Sequence, residues 1–327
     1  MEVLNVNLDF DKIEKNVLIK KESETSDYYG INPANRPTNE LLKFGIVNIN
    51  KPQGPTSHQI SDYVKGILNA KKAGHGGTLD PNVTGVLPIA LDNATRIVQL
   101  LLKERKEYVA LMHLHNEVSY EGIQRVFEEF TGTIKQLPPI KSAVKRQERF
   151  RKIYFINLME IEGKEILFEV GCEAGTYIRK LIHDIGLKLR TGAHMQQLVR
   201  TKTGPFTDKN WNTLHDLKDA LEEYKEGDEE PIRKIIMPVE FTVLNQKKIW
   251  VHDSAVNNLC HGSVLYAPGV SKLSDNILEN DFVIILTLKN ELISYGTATF
   301  DSLSILNRQK DVVVVPKKVF MPVGIYK

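Results

Sequence analysis

The sequence predicts an α+β fold on a mixed sheet, followed by a small C-terminal β-barrel. Between residues 41 and 247, segments with strand alternation and segments with helical periodicity follow one another without a regular βαβ repeat, which favours a mixed sheet over a Rossmann sheet. From about residue 248 short strands dominate, as in a small barrel. Residues 1–40 are polar and form an extension, and the 327-residue length allows about two domains.

The first elements of the 41–247 region are a strand and an amphipathic helix. The segment FGIVNINK at 44–51 reads as a strand that ends at Pro52, and Ser57 is the predicted N-cap of the following helix, whose apolar face includes Ile60 and Val64. A glycine-rich loop then precedes a short strand and helix within 85–102. A further strand is predicted at KEYVALMHLH, 106–115, because every second residue from Tyr108 to Leu114 is apolar or aromatic.

The second part of this region continues the alternation of helices and strands. We predict a helix within 118–134, strands within 151–163 and 164–175, and a helix over 176–189 with Ile178, Leu181, Ile182, Ile185 and Leu189 on one face. The acidic segment EEYKEGDEEP, 222–231, is predicted to be an exposed loop. In the barrel, one short helix at 253–262 and strands at VLYAPGV, FVIILTL, ELISYGTATF and VVVV are expected.

Charge is distributed unevenly along the chain. The formal net charge is +2, but residues 141–152 are strongly basic and residues 216–230 strongly acidic. Phosphate binding requires local positive charge, so the small total does not exclude a nucleic-acid ligand, and a solvated basic surface remains the alternative. No run of 18 apolar residues and no apolar leader is present, so we expect no membrane span and no signal peptide.

The loop Gly74-His75-Gly76-Gly77-Thr78-Leu79-Asp80-Pro81 is the segment most suggestive of chemistry. Its glycines permit left-handed backbone and close approach of a ligand, and Pro81 fixes the backbone directly after Asp80. A carboxylate on such a loop can face a pocket. The alternative is an ordinary turn stabilised by the Asp80 side chain.

Several other segments, in their order and spacing, identify a family resemblance. They are KPQGPTS, KEYVALMHLH, PPIKSAVKR, CEAGTYIRKLIHDIG, GAHMQQLVRTKTGPF and DSAVNNLCHG. Together with the GGTLDP loop they resemble the TruB/dyskerin family of RNA pseudouridine synthases over about residues 41–327. The resemblance implies an isomerase with Asp80 as the catalytic residue, which attacks the sugar or the base or removes a ribose proton. These paths stay open at the level of sequence.

The resemblance also implies how the site is built around Asp80. Arg179 is expected to pair with a buried Asp80 and keep it ionised, although an isolated arginine there would be taken as a solvent-facing helix residue. Tyr108 is expected to stack on the target base, the alternative being an ordinary core tyrosine. His75 is expected to hold the extruded nucleotide, and Leu198 to form a dry pocket wall.

Further residues are expected to support the site or to contact RNA. Lys51 is placed among the substrate-binding residues and is expected to support the active-site loops. Expected RNA contacts are Lys141, Lys145, Arg146, Lys180 and Gly262. The chain departs from the family pattern at Val199, where arginine is expected, and at Glu117, where aspartate is common.

Lys141 indicates the archaeal and eukaryotic branch of the family, and the lack of long Lys/Glu-rich tails favours an archaeal protein, which we expect to be cytoplasmic. That branch implies the catalytic subunit of an H/ACA ribonucleoprotein, in which a guide RNA pairs with ribosomal RNA. The partners implied are the guide RNA, rRNA and tRNA substrates, and three small accessory proteins: a zinc-ribbon-like peptide, a small β-barrel protein and a kink-turn binder. Residues 248–327 would be a PUA domain that holds the guide RNA, with the 1–40 extension packed on it.

Metal and cofactor sites are not expected. The dipeptides His183-Asp184, His215-Asp216 and His252-Asp253 lack further ligands at supporting spacings. His113 and His115 share one face of a strand, but two ligands without a third indicate ordinary histidines. Cys172 and Cys260 lie far apart and indicate reduced core residues.

Three functions are compatible with these features. The first is guide-dependent modification of rRNA, and the second is stand-alone modification of the T-loop uridine of tRNA. The two are not exclusive. The third is a non-catalytic RNA-binding scaffold, against which the intact GGTLDP, KEY and GTYIRK motifs argue.

Overall fold

A computed structural model describes residues 16–138 and 147–327. The chain divides into two compact units. The central unit comprises Val47–Ala90 and Ile97–Glu222, and the terminal unit comprises Met1–Ile46, Leu91–Arg96 and Glu223–Lys327. Within the described residues, no helix combines the length and the apolar character that crossing a bilayer requires.

Helices and strands are numbered in chain order. The helices are α1 (Thr38–Phe44), α2 (Ser57–Ile67), α3 (Val98–Lys103), α4 (Tyr120–Phe130), α5 (Ile178–Lys188), α6 (Leu214–Glu226), α7 (Glu230–Ile235), α8 (Asp253–Cys260) and α9 (Ser302–Asn307). The strands are β1 (Val17–Ile19), β2 (Gly45–Lys51), β3 (Ala73–His75), β4 (Thr84–Leu91), β5 (Lys106–Leu114), β6 (Gly132–Gln136), β7 (Arg149–Glu162), β8 (Glu165–Cys172), β9 (Ala193–Thr203), β10 (Phe206–Thr207), β11 (Ile236–Pro238), β12 (Lys248–Val251), β13 (Leu265–Tyr266), β14 (Val270–Ser274), β15 (Phe282–Thr287), β16 (Leu292–Ala298) and β17 (Val312–Val319).

The sheet of the central unit is mixed, as the sequence predicts. Its strands lie in the order β2, β4, β9, β5, β8, β7 and β6. The pair β4–β9 is parallel, whereas β5 is antiparallel to both β8 and β9. Apolar residues of β5, β8 and β9 form a core with α4 and α5. Strand β5 therefore lies at the centre of the sheet, with Tyr108 near its start.

The helices of the central unit cover this core with the predicted apolar faces. On α5, Ile178, Leu181, Ile182 and Ile185 are buried, as expected from their spacing. The N-cap of α2 is Thr56 rather than the predicted Ser57, because Thr56 and Gln59 form a reciprocal capping box. Ser57 is thereby free for another role, described below.

The prediction that EEYKEGDEEP forms a loop was wrong except for residues 227–229. Helix α6 continues to Glu226, and α7 begins at Glu230. The apolar residues Leu217, Ala220 and Leu221 are buried on one face of α6, so the acidic residues that follow extend a helix whose other face is solvated. The charge of these acidic residues does not distinguish a solvated helical face from an exposed loop.

The terminal unit contains the expected strand-rich C-terminal fold. Its sheet has the order β1, β14, β12, β15, β16, β17 and β13, with β12 and β15 parallel. The helix expected at 253–262 is α8, while α9 and α1 were not predicted. Strand β1 pairs with β14, and the Lys20 ammonium donates to the carbonyl oxygens of Ile305, Leu306 and Arg308 at 2.6–3.0 Å.

Candidate active site

The backbone on both sides of Asp80 is fixed by hydrogen bonds from the preceding turn. The Ser57 hydroxyl accepts from the Leu79 N–H at 2.8 Å and lies 3.2 Å from the Leu79 carbonyl oxygen, to which it donates. The Gly54 N–H donates to the Pro81 carbonyl at 3.0 Å, and the Val83 N–H donates to that of Asp80 at 3.0 Å. The KPQGPTS turn therefore holds the loop that presents Asp80.

Lys51 supports the same loop from the interior. Its side chain is fully buried, and its ammonium donates to the carbonyl oxygens of Pro52, Pro81 and Val83 at 2.9–3.1 Å. Burial lowers the pKa of Lys51, and the nearby Asp80 charge partly offsets that effect. The expected support of the active-site loop is thus present. Its place among the substrate-binding residues stays a prediction, since the structure shows only that the ammonium is buried and held by three carbonyls.

Asp80 and Arg179 are in contact. The Arg179 Nη2 atom donates to Asp80 Oδ2, which joins the glycine-rich loop to the first turn of α5. The expected pair is present, but its expected burial was wrong: the Asp80 and Arg179 side chains are 56% and 57% exposed. An ion pair this exposed contributes about 0–1 kcal/mol to stability, so its effect here is to orient the two groups.

Tyr108 and Leu198 lie on neighbouring central strands. Leu198 of β9 is 8% exposed and pairs with Ala110 of β5, and the partly buried Tyr108 packs against the same core. Burial raises the pKa of the Tyr108 hydroxyl, and the Arg200 guanidinium opposes this rise. The two side chains thus supply an aromatic ring and an apolar surface, as the sequence predicts for them.

Arg200 is a buried cation that the sequence analysis did not single out. It is 1% exposed, and it donates from Nε to the Val86 carbonyl at 2.7 Å and from Nη2 to the Gly77 carbonyl at 3.1 Å. It also interacts with the Tyr108 hydroxyl. Arg200 therefore links the strand β4, the Asp80 loop and the aromatic residue. The sequence contained a signal for the burial of Arg200, because side-chain alternation along β9 places it on the same face as the apolar Leu198.

Lys106 is a second buried cation that was missed. It is 5% exposed, and its ammonium donates to the carbonyls of Leu101, Leu102 and Glu104 at 2.7–3.0 Å, next to the end of α3. Burial, with a smaller effect from Arg200, lowers the pKa of Lys106 to about 8. Lys106 holds α3 against the start of β5, the strand that carries Tyr108.

His75 lies partly buried at the end of β3. Its Nδ1 atom is buried and has no hydrogen-bond partner in the described part of the chain. Burial lowers the pKa of His75, with smaller effects from Arg200 and His58. A neutral ring with an unused nitrogen fits a residue that binds a nucleotide rather than one that carries charge.

The residues expected to bind RNA have mixed outcomes. The Lys180 ammonium is paired with Asp184 on the same helix, so its charge is locally neutralised. Gly262 is exposed with φ +86°, and a Cβ there would meet no atom within 4 Å. Lys141, Lys145 and Arg146 lie outside the described residues. The structure gathers Asp80, Arg179, Lys51, Tyr108, His75 and Leu198 in the central unit, and Gly262 belongs to the terminal unit.

This arrangement suits acid–base or nucleophilic chemistry on a planar ligand. An accessible carboxylate stands on a fixed loop, an arginine orients it, and an aromatic ring and an apolar wall lie on the adjoining strands. Buried cations held by main-chain carbonyls fix the surrounding backbone.

Models of protein families match along most of the chain. Residues 65–178 match the TruB family pseudouridylate synthase (N terminal domain), and residues 179–244 match the tRNA pseudouridylate synthase B C-terminal domain. Residues 5–61 match the DKCLD (NUC011) domain, and residues 247–320 match the PUA domain. These matches cover both units.

Relatives and solved structures are similar over nearly the full length. The probable tRNA pseudouridine synthase B of Nanoarchaeum equitans is 51% identical over 311 residues, which are 95% of this chain and 89% of that protein. A chain of a Cbf5-Nop10-Gar1 complex is 52% identical with a TM-score of 0.91, covering 95% of this chain and 96% of its own. A chain of an H/ACA RNP bound to a substrate RNA containing 2′-deoxyuridine is 48% identical with a TM-score of 0.90, covering 100% and 99%.

Proposed function

The chain belongs to the TruB family and is an RNA pseudouridine synthase, and from this premise we propose that it is the catalytic subunit of a guide-RNA-dependent H/ACA ribonucleoprotein. The observation that carries the proposal is the similarity to a chain of a Cbf5-Nop10-Gar1 complex, at a TM-score of 0.91, and to a chain of an H/ACA RNP bound to a substrate RNA, at a TM-score of 0.90. The similarity extends over 95% and 100% of this chain and therefore includes the terminal unit with its PUA match.

We assign the catalytic role to Asp80. In the reaction the N1–C1′ bond of uridine breaks and a C5–C1′ bond forms, while C5 loses a proton and N1 gains one, so no external reactant is consumed. A single carboxylate serves either by attacking the substrate or by removing a ribose proton. Asp80 is suited to both paths because its carboxylate is 56% exposed while its backbone is held on both sides.

The neighbouring residues support the binding of an extruded uridine. Tyr108 offers a ring for stacking, which contributes about 1–3 kcal/mol per base, and Leu198 offers an apolar surface. Because the Asp80 and Arg179 side chains are more than half exposed, we propose that bound RNA covers them and completes a water-poor pocket. Covering the Asp80–Arg179 pair would lower the local dielectric constant and strengthen the attraction between the two groups.

Two of the structural relatives indicate the class of partner. One is part of a complex with Nop10 and Gar1, and the other is bound to a substrate RNA within an H/ACA RNP. We propose that this chain likewise assembles with a guide RNA and small accessory proteins of these kinds. Pairing by the guide would then select the target in rRNA, while the protein recognises RNA shape and backbone.

A second candidate function is modification of tRNA without a guide. The observation in its favour is the description of the curated relatives as probable tRNA pseudouridine synthases B. The two functions share the catalytic site and differ in how the substrate uridine is delivered.

The two delivery modes are separated by mapping pseudouridine chemically in RNA incubated with the purified chain. An rRNA fragment and a tRNA transcript are each tested with and without guide RNA and accessory proteins. We expect conversion of the rRNA target to require the guide. Conversion of rRNA at the same rate without a guide would contradict guide dependence, and conversion of tRNA by the chain alone would establish the second function.

A further inference from the structure

Three histidines and a glutamate meet on one face of the central sheet, at the end of β5 opposite to Tyr108. His113 of β5 pairs with His194 of β9 on one side and with Glu165 of β8 on the other. His115 lies two residues beyond His113 and therefore points to the same face. The strand pairing thus supplies the third histidine whose absence argued against a metal site in the sequence.

The distances within this cluster are short. The ring centroids of His113 and His194 are 5.0 Å apart, those of His115 and His194 5.6 Å, and those of His113 and His115 6.4 Å. His115 Nε2 and His194 Nδ1 are separated by 3.4 Å. Two nitrogens bound to one tetrahedral zinc ion at about 2.0–2.1 Å lie about 3.4 Å apart, so this pair already has the separation that a shared ion requires.

Glu165 orients the third ring. His113 Nδ1 lies 2.6 Å from Glu165 Oε1, which leaves His113 Nε2 as the nitrogen available to a ligand. A carboxylate bonded to one ring nitrogen of a histidine is the arrangement that orients metal-binding histidines and raises their basicity. The second oxygen, Glu165 Oε2, is buried without a hydrogen-bond partner among the described residues.

In the unbound chain, Nε2 is the His115 nitrogen that faces the cluster. A Cβ atom at Gly192 would lie 2.7 Å from His115 Nδ1, so that side of the ring is against the backbone and Nε2 points towards His194. Lys164 donates to the His115 carbonyl at 2.9 Å and brings one positive charge near the cluster, against the negative charge of Glu165.

We propose that His113, His115 and His194 bind one divalent transition-metal ion of the zinc, copper or nickel class, with Glu165 holding His113. Three imidazoles favour such ions over Mg²⁺ or Ca²⁺, which prefer oxygen ligands. In the described part of the chain no three such side chains already converge on one point. Binding therefore requires rotation of the exposed His115 and His194 side chains, while the strands hold the three backbones in register.

The test is a titration of the full-length protein with Zn²⁺ by calorimetry and with Co²⁺ by visible absorption, since tetrahedral Co²⁺ absorbs far more strongly than octahedral Co²⁺. We expect one ion per chain and a tetrahedral Co²⁺ spectrum. His194→Ala should abolish both signals, and Glu165→Gln should weaken Zn²⁺ binding by about 10–100-fold, as loss of a supporting carboxylate does elsewhere.

His58→Ala is the matched control, because the His58 side chain is 83% exposed and lies outside the cluster. We expect this variant to bind Zn²⁺ like the unaltered protein. Equal Zn²⁺ uptake by the His194→Ala variant and the unaltered protein would overturn the proposal. So would an octahedral Co²⁺ spectrum, or an equal loss of binding in His58→Ala, which would indicate adventitious uptake by surface histidines.

Discussion

The Arg200 guanidinium donates from Nη2 to the Gly77 carbonyl at 3.1 Å, so a buried cation on β9 is tied to the loop that carries Asp80. The same guanidinium donates from Nε to Val86 on β4. Burial lowers the pKa of Arg200, and interactions with Tyr108 and Cys172 oppose this effect. Because its guanidinium is buried and donates to two main-chain carbonyls, we expect Arg200 to position the Asp80 loop and Tyr108.

Replacing Arg200 tests this positioning role. Arg200→Met leaves two buried carbonyls without their donor, at a cost of about 1–3 kcal/mol each, so we expect the free energy of unfolding in urea to fall by about 2–6 kcal/mol. Arg200→Lys keeps the positive charge but replaces the planar guanidinium and its N–H donors by an ammonium. We expect its unfolding free energy to fall by less than that of Arg200→Met. Both variants should lower the single-turnover rate. An unchanged rate in a folded Arg200→Met protein would contradict the positioning role.

Gly85 is packed against the backbone of Arg200 and offers a steric test. A Cβ at Gly85 would lie 2.2 Å from the Arg200 carbonyl oxygen, whereas a Cβ at Gly132 would meet nothing within 4 Å. The φ angles are nearly equal, +107° and +109°, so Gly132→Ala is a matched control for backbone strain. We expect Gly85→Ala to lower the unfolding free energy by about 1–3 kcal/mol more than Gly132→Ala, because of overpacking. Equal losses of unfolding free energy in Gly85→Ala and Gly132→Ala would contradict this prediction, because they would show that the contact with Arg200 adds no cost.

Lys106 predicts a dependence of stability on alkaline pH. Its folded-state pKa is lowered to about 8 from 10.5, so between these values the unfolded chain binds a proton that the folded chain does not. The contribution of Lys106 to the unfolding free energy therefore becomes more favourable as the pH rises from about 8 to 10.5. Below pH 8 the cost of burying the charged ammonium is fully present. From pH 7.5 to 9.5, we expect the unfolding free energy to rise by about 2 kcal/mol more in the unaltered protein than in Lys106→Met. Parallel pH profiles would contradict this.

Arg179 should affect catalysis far more than folding. The Asp80–Arg179 pair is more than half exposed, so Arg179→Gln should change the unfolding free energy by no more than about 1 kcal/mol. Loss of the orienting partner should reduce the single-turnover rate by about 100-fold or more. Lys188→Gln, which removes an exposed ion-paired cation from the same helix, is the control and should leave the rate unchanged. A normal rate in Arg179→Gln would show that the pair is incidental.

Much of the fold could be predicted because apolar periodicity determines which faces are buried. The faces of α5 and β5 follow directly from the spacing of their apolar residues. Helix α6 was misjudged at its end because charged residues on a solvated helical face look like those of a loop. Thr56 rather than Ser57 caps α2 because the cap depends on a reciprocal bond with Gln59.

The site was predicted less completely than the fold. Motif resemblance brought Asp80 and Arg179 together, but it gave no information on their exposure, which depends on what covers the site. Arg200 and Lys106 were missed because their partners are main-chain carbonyls, which carry no signature in sequence. His194 was not connected with His113 because cross-strand pairing between β5 and β9 joins residues 81 positions apart.

The most direct test of the central claim is the single-turnover formation of pseudouridine by Asp80→Asn, measured by chemical mapping in an RNA that the unaltered protein converts. Asp62→Asn, at another exposed aspartate, is the control. We predict no conversion by Asp80→Asn with unchanged RNA affinity and unchanged unfolding free energy, and normal conversion by Asp62→Asn. Retained turnover in Asp80→Asn would contradict the assignment of Asp80 as the catalytic residue.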